Sequence, residues 1–534
     1  MLAGTKKLRI SAGEALFYGY WIIMLTLKAL GFQEGMLIYN AGLVISFGCI
    51  MLKVALEKHS LREWILILLL LAVGGMIYLS SREKAPLIYI MLVIGMKQVP
   101  VKRVFRIGLP IWVVCFAYRT LATVTGLQTG YVFAHEKLGL GPILRWDFGY
   151  AHPNVLQISY AVLAAFLLYQ WNGEGKGLWK RIGLLFLGNC YIFLYSVSYT
   201  GVILNTLFLV IFCYFAGRKH FTGTERLLMQ CILPFCVIFS IAGPLLTEKG
   251  MPLHGLDGLF HKLFNTRFLA SRIYLYRGLS LFGRTQEQLD ITFALDCSYV
   301  SLLVRHGVIF FILVLAGYAG MIHRYIKEER RKELAIIFSF LIAGISEPFL
   351  FNVSFKNLLF VFLGEYLYDL EERLPQTGPW MKKTGTDFME KFLEISVPDG
   401  LPAWTGVKRM WKEKKGRICV AGLTVGVLAA SACHLMSERP DSIYVDVVYT
   451  DCAPQEEKYL DMKNLPENFN SLVYNYQGPD MPLYEFSGNM IKLEALREFV
   501  SRTLIGGVIA GGVILLAGTA LEKGRDRGND GKDF

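Results

Sequence analysis

Charge is what this chain has least of. Of its 534 residues only 18% are Asp, Glu, Lys or Arg, where soluble globular chains carry about 25%. Mean hydropathy is +0.42, and the apolar residues arrive in blocks. Disorder, collagen and an ordinary soluble enzyme are thereby excluded. Several chemical signatures are missing as well. There is no CxxC, no His/Cys set at zinc spacing and no HExxH. There is no phosphate-cradling GxxxxGK[ST] either, since the GEGKG at 173–177 lacks that spacing and any preceding strand. No internal repeat is visible. Any enzymatic activity is therefore expected to need neither a nucleotide loop, nor a protein-bound metal, nor another cofactor. Lys6, Lys7 and Arg9 precede the first apolar run. No small-residue cleavage site follows, which predicts a first span and not a signal peptide.

What is present is a succession of apolar segments, each near the roughly 20 residues a bilayer-spanning helix needs. They lie at 15–31, 36–52, 64–80, 87–96, 107–122, 153–170, 182–196, 201–217, 227–246, 298–322, 334–350, 354–369, 418–436 and 503–521. The fold class expected is an all-α integral membrane protein with about fourteen transmembrane helices. The segment 87–96 is short for a span, and without it the count is thirteen. With both termini inside, 35 of the 55 Lys and Arg fall in cytoplasmic segments, as the positive-inside bias requires. The net charge of +12 is thus a matter of orientation, and nucleic acid is not an expected partner.

Two external segments depart from that pattern. Residues 247–297 form a large loop carrying Lys249, Lys262, Arg267, Arg272, Arg277 and Arg284, although loops below about 60 residues normally obey the bias. A solvated amphipathic helix would account for this; so would an anionic ligand bound at the outer face. The five-residue steps from Lys262 to Arg277 advance about 140° on a helix, so one anion recruits only some of these cations. Residues 437–501 carry twelve acids against five bases and suggest a small external module. Within it 442–449 alternates like a strand, Pro454, Pro466, Pro479 and Pro482 punctuate the middle, and Ser487 is placed to cap a helix.

The expected division is a multipass domain over 1–370, a basic cytoplasmic linker over 371–417, a two-span hairpin over 418–521 and a cytoplasmic tail over 522–534. Gly422 and Gly426 in one span, and Gly507 and Gly511 in the other, suit close helix packing, within the hairpin or with other copies.

Polar groups converge at the outer ends of the spans. Arg145-Trp-Asp-Phe-Gly-Tyr-Ala-His-Pro-Asn154 places a cation, the His152 imidazole and an amide where a helix re-enters the membrane. Arg145 also suits a headgroup anchor, and Asn154 a helix cap. Ser271–Arg277 and Phe282-Gly-Arg284 follow in the basic loop. Asp296-Cys-Ser-Tyr299 heads the tenth segment, where Asp296 also suits the helix dipole. Glu347-Pro348 sits at the outer end of the eleventh. An acid that deep is costly unless paired, and Lys356 and Arg305 are the structural partners considered for it.

Taken in order, these motifs resemble the bacterial O-antigen polymerase and O-antigen ligase family over residues 1 to about 370. Its Arg followed by Phe-Gly-Tyr-x-His-Pro-Asn is similar to Arg145–Asn154. Its Ser-Arg-Thr-Gly resembles Ser198-Tyr-Thr-Gly201, but here the Arg is Tyr199. Its loop segment leading to a Phe-Gly turn resembles Ser271–Tyr276 and Phe282-Gly283. Its Asp-x-Ser-Tyr resembles Asp296–Tyr299, and its late acidic span resembles Ile345-Ser-Glu-Pro348.

The resemblance implies a metal-independent glycosyltransferase of the bacterial plasma membrane that works on polyprenyl-pyrophosphate-linked glycans at the outer leaflet. Arg145 and Arg272, with Arg267 and Arg277, are then expected to hold the pyrophosphate, since the guanidinium fork suits phosphate. Asp296, His152 and Glu347 are the candidates for taking the acceptor proton. The C-terminal hairpin is expected to modulate the reaction, in the manner of a chain-length regulator or through self-association. A ligase passing finished glycan to another acceptor fits equally well. A transporter fits less well, because its polar sites and repeats usually meet near the bilayer midplane.

Overall fold

The computed structural model describes residues 5–125, 127, 132–137, 141–171, 176–246, 267–291, 294–373, 392–398, 402–436, 442–444, 459–461, 480–485 and 488–529. Most of its apolar segments are helical. Eight of the described helices are long and apolar enough to cross a membrane, and Ala85–Gly95 is an apolar helix of only 11 residues. In Leu61–Ser81 only 28% of the most apolar stretch is buried inside the protein. The outward side chains, such as Leu68 and Leu79, are tolerable where lipid replaces water.

Contacts divide the chain into two units. One comprises Ser11–Thr120 and Pro153–Phe392; the other comprises Met1–Ile10, Leu121–His152 and Leu393–Phe534.

The first unit holds helices α1 (Ala12–Ala29), α2 (Leu37–Leu56), α3 (Leu61–Ser81), α4 (Ala85–Gly95), most of α5 (Val101–Val124), α6 (Pro153–Gln170), α7 (Lys176–Ser196), α8 (Tyr199–Gly217) and α9 (Gly223–Leu246). After the large loop come α10 (Arg267–Tyr276), the single turn α11 (Gln286–Leu289), α12 (Ser298–Arg305), α13 (Val308–Lys327), α14 (Arg331–Ala343) and α15 (Leu359–Arg373). Several start at predictable caps. Ser60 opens α3 in a capping box: its hydroxyl accepts from Glu63 N at 3.1 Å, and its own N–H donates to Glu63 Oε2 at 2.8 Å. Ser11 and Ser198 cap α1 and α8 in the simpler way.

The loops expected on the inner side meet at one end of this unit, stitched by ion pairs. Arg103 reaches Glu14 at 2.6 Å, and Lys53 donates to the carbonyls of Gly95 at 2.8 Å and Lys97 at 2.6 Å. Glu329 receives His220 at 3.0 Å and Arg226 at 3.1 Å. Burial alone would raise the Glu329 carboxyl, but the Phe221 N–H, His220 and Arg226 hold it below the usual range. The opposite ends of the helices carry the polar groups considered below.

Three expected spans take a different form. The segment 298–322 is two helices, broken at His306-Gly307. Gly307 has φ +88° and Gly283 has φ +81°, and a Cβ on Gly283 would lie 2.6 Å from the Arg305 carbonyl carbon. The Phe282-Gly283 turn occupies the break, with Val308 N donating to Ser280 O at 3.0 Å and Ile309 N to Leu281 O at 3.2 Å. The helix of the eleventh expected span, α14, stops at Ala343, and that of the twelfth, α15, begins at Leu359. The stretch between them is irregular, with Gly344 against Leu350 and Pro348 unable to continue a ladder.

The second unit contains an antiparallel hairpin, β2 (Val132–Lys137) and β3 (Gly141–Trp146), with Phe133 opposite Arg145. The sequence reads this stretch as plain loop. The unit also holds the pair β1 (Thr5–Ser11) and β4 (Phe392–Pro398). Its two long helices are α16 (Pro402–Met436) and α17 (Gly488–Asn529). Between them lies a sheet of β5 (Ser442–Tyr444), β6 (Tyr459–Asp461) and the central β7 (Asp480–Glu485).

The glycine pairing read from the sequence is present in α16 and α17. A Cβ on Gly422 would come within 2.6 Å of Gly507 O, and one on Gly426 within 2.8 Å of Gly507 N, so only glycine permits this approach. Of the external module's expected features, residues 445–449, Pro454, Pro466, Pro479 and Ser487 lie outside the described residues, as do Lys249 and Lys262 of the basic loop.

Candidate functional site

Away from the ion-paired end, a polar cluster is built around Arg267, the first residue of α10. Its Nε donates to Asp296 Oδ2 at 3.2 Å, its Nη1 to Thr200 Oγ1 at 3.0 Å and its Nη2 to Glu347 Oε1 at 3.0 Å. Four chain segments therefore meet on one guanidinium. The Arg267 side chain is 13% exposed, Glu347 4% and Asp296 41%. One carboxylate is locked inside and the other is open to the surroundings.

Each partner is held by its own local structure. Glu347 follows the end of α14, where its main-chain carbonyl accepts from Ser298 Oγ at 2.6 Å. Ser298 N donates to Gly344 O at 2.9 Å, and Ser298 Oγ accepts from Leu350 N at 3.2 Å. Ser298 thus pins the irregular segment to the start of α12, two residues beyond Asp296. Thr200 lies in the first turn of α8, two residues past the cap Ser198. Val197, just before that cap, has φ +38°, a conformation a β-branched residue adopts only under constraint. Ser198 Oγ in turn donates to Asn154 Oδ1 at 2.8 Å. Asn154 is therefore not the cap of α6: the helix starts at Pro153, a position where the missing N–H costs nothing.

Behind these residues a buried amide network joins α6, α7 and α8. Asn205 Nδ2 donates to Gln157 Oε1 at 2.8 Å and to Asn189 Oδ1 at 3.2 Å, and Gln157 Nε2 donates to Ser196 Oγ at 3.2 Å. Such a network is costly in an apolar setting unless its members are paired, and pairing makes it rigid.

Among the residues read from the sequence, Arg267, Asp296 and Glu347 are brought together. Of the structural partners considered for Glu347, Arg305 pairs instead with Glu83, and Arg267 pairs with Glu347. Glu83, between α3 and α4, is pushed upward by burial while Arg305 pulls it back. Lys356 is buried and donates to Val155 O at 3.3 Å. Arg272 lies within α10, part-buried. Arg277, just past its end, is exposed and contacts Asp290, with the closest carboxylate approach at 3.5 Å, not the carboxylates around Arg267.

Arg145 and His152 belong to the other unit. There Arg145 is buried on β3, and the ring of its strand partner Phe133 meets the His152 imidazole edge-on at 5.1 Å. Thr200 is the member that sequence reasoning missed. The Ser-Tyr-Thr-Gly motif drew attention to Tyr199, where the Arg is absent, although its next residue makes the contact. Among the described residues no group of three or more His, Cys, Asp or Glu is placed to hold a metal ion.

Compared with known proteins, the chain matches no family model, and no curated protein and no solved structure is significantly similar to it.

Proposed function

We propose that this protein is a polysaccharide polymerase that transfers a glycan from a polyprenyl-pyrophosphate carrier to a lipid-linked repeat unit at the outer face of the bacterial plasma membrane. The observation that carries the reading is the Arg267 guanidinium held between a buried carboxylate, Glu347, and a half-exposed one, Asp296. The fourteen-crossing topology with both termini inside accompanies the proposal and places this cluster outside. The order of motifs supports the family resemblance.

The chemistry follows from the asymmetry of the two carboxylates. Glu347 fixes Arg267 in place. A phosphate oxygen of the donor competes with Asp296 for the guanidinium, because charge-assisted contacts to phosphate match those to carboxylate. Once displaced, Asp296 is available as a base. The acceptor hydroxyl oxygen bonds to the anomeric carbon as the bond from that carbon to the phosphate oxygen breaks. The hydroxyl proton passes to Asp296, and the electron pair leaves on the pyrophosphate. A fixed cation facing that developing charge supplies the main stabilisation, which is the part proposed for Arg267; the resemblance assigns Arg272 and Arg145 to the pyrophosphate as well.

A ligase would use the same donor chemistry with a different acceptor, so acceptor identity separates the two. The test is the purified protein in bilayers with lipid-linked repeat units, product length being read on a gel. The wild type is expected to extend glycan, and Asp296→Asn to lose at least tenfold in rate. Asp296→Asn at full rate removes Asp296 from the chemistry. A wild type that polymerises nothing, and passes glycan to no acceptor, overturns the reading.

A further inference from the structure

The β2–β3 hairpin has an outer edge, and α17 covers it. Leu144 stands on β3 opposite Ala134. Its N–H donates to Met490 Sδ at 3.2 Å, and its carbonyl accepts from Arg497 Nη2 at 2.9 Å. Both main-chain groups therefore point away from β2, as those of alternate residues do along an antiparallel edge. Met490 and Arg497 are seven residues apart, two turns of helix, so they share one face of α17. Each is 1% exposed. Arg497 also pairs with Glu494 one turn back, which offsets the cost of burying its charge. The next residue of β3 is Arg145, itself 4% exposed, and a strand held at Leu144 holds Arg145 at a fixed height and facing.

We propose that Arg497 is a positioning residue: by gripping the main chain of Leu144 it sets the placement of Arg145, so the C-terminal hairpin acts on the reaction through β3. The role given to Arg145 rests on the function proposed above, whereas the grip of α17 on β3 stands apart from it.

The experiment uses the full chain in lipid nanodiscs. Arg497→Met keeps the apolar stem and removes the donors; Arg497→Lys keeps a charge and one donor direction. Amide exchange over 141–146 is measured beside the kinetics of glycan transfer. In Arg497→Met, exchange at 141–146 is expected to rise at least tenfold, with the KM for the lipid-linked donor raised more than kcat is lowered. Arg497→Lys is expected to restore part of both. The double variant Arg145→Ala/Arg497→Met is expected to be no worse than Arg145→Ala alone, because Arg497 acts through Arg145.

Unchanged exchange in Arg497→Met overturns the grip. Faster exchange with fully additive kinetic losses overturns positioning through Arg145 and leaves only a structural contact. If the wild type transfers no glycan, the functional reading falls and takes the role of Arg145 with it, while the exchange data still decide the grip.

Discussion

Arg267 and Glu347 lie eighty residues apart in the chain and 3.0 Å apart in space. Their pairing ties the basic loop to the end of α14. A buried pair of this kind is weak evidence of stability while intact, but removing one partner strands the other charge, at a cost of about 3–5 kcal/mol. Arg267→Met is therefore expected to lower the unfolding temperature in detergent markedly. Arg267→Met/Glu347→Gln is expected to recover part of that loss, with a coupling of about 0.5–3 kcal/mol. Strictly additive losses would show that the two side chains do not depend on each other.

On the function proposed above, the resemblance assigns Arg145 and Arg272 to the donor pyrophosphate. A charged hydrogen bond is worth about 1.5–3 kcal/mol, so Arg→Ala at either position is expected to cost at least tenfold in transfer rate. Arg→Lys is expected to rescue only in part, since the two-pronged contact is lost. Initial rates on lipid-linked donor check this. Normally inserted Ala variants that run at wild-type rate would refute the assignment.

Gly283 and Gly278 both have positive φ, at +81° and +88°, but their surroundings differ. A Cβ on Gly283 meets the Arg305 main chain, whereas one on Gly278 meets only Arg284 Nη1, at 3.8 Å. The left-handed conformation alone costs about 1–2 kcal/mol for a non-glycine residue. Gly278→Ala is expected to lose about that much. Gly283→Ala is expected to lose more and to loosen the helix break, read as faster amide exchange at Val308 and Ile309. Equal losses at the two positions would mean that the packing at Gly283 contributes nothing.

Glu329 anchors the ion-paired end. Its carboxyl is held below the usual range, so its contribution to stability is present above the ordinary Glu pKa of about 4.3 and is lost as pH falls through that region and below it. Glu329→Gln is expected to unfold at a lower temperature than wild type at pH 7. The gap is expected to close on acidification. A gap that stays constant from pH 7 to pH 3 would assign the effect to packing and not to charge.

The sequence makes the helices legible because hydropathy acts locally. Residues 153–170 are predicted to the residue, and 201–217 begins two residues late. The break at His306-Gly307 escapes that reading because Gly307 sits inside an apolar run, and its reason lies in the distant Phe282-Gly283 turn. The β2–β3 hairpin escapes because the partners of its outer edge, Met490 and Arg497, lie on α17 some 350 residues away. The site shows the same division. Asp296 and Glu347 stand out as acids at span ends, and Arg267 as a base in the wrong loop. Their convergence, and the part of Thr200, depend on separations of 29 to 80 residues that no periodicity records.

The helix α4 bears on how this chain enters a membrane at all. Eleven residues at 1.5 Å each make about 16 Å, half of a hydrocarbon core of about 30 Å. Every residue of α4 except Leu87 is buried by neighbouring helices. Tyr20 grips its middle at Ile88 O, 2.7 Å away, and Lys53 grips its end at Gly95 O. A segment so short is not retained in lipid on its own merit. It is held by partners from α1, α2 and the much later α15, where Tyr368 donates to Ile94 O at 2.8 Å, so damage to Tyr20 or Lys53 is expected to surface as displacement of a helix neither residue belongs to.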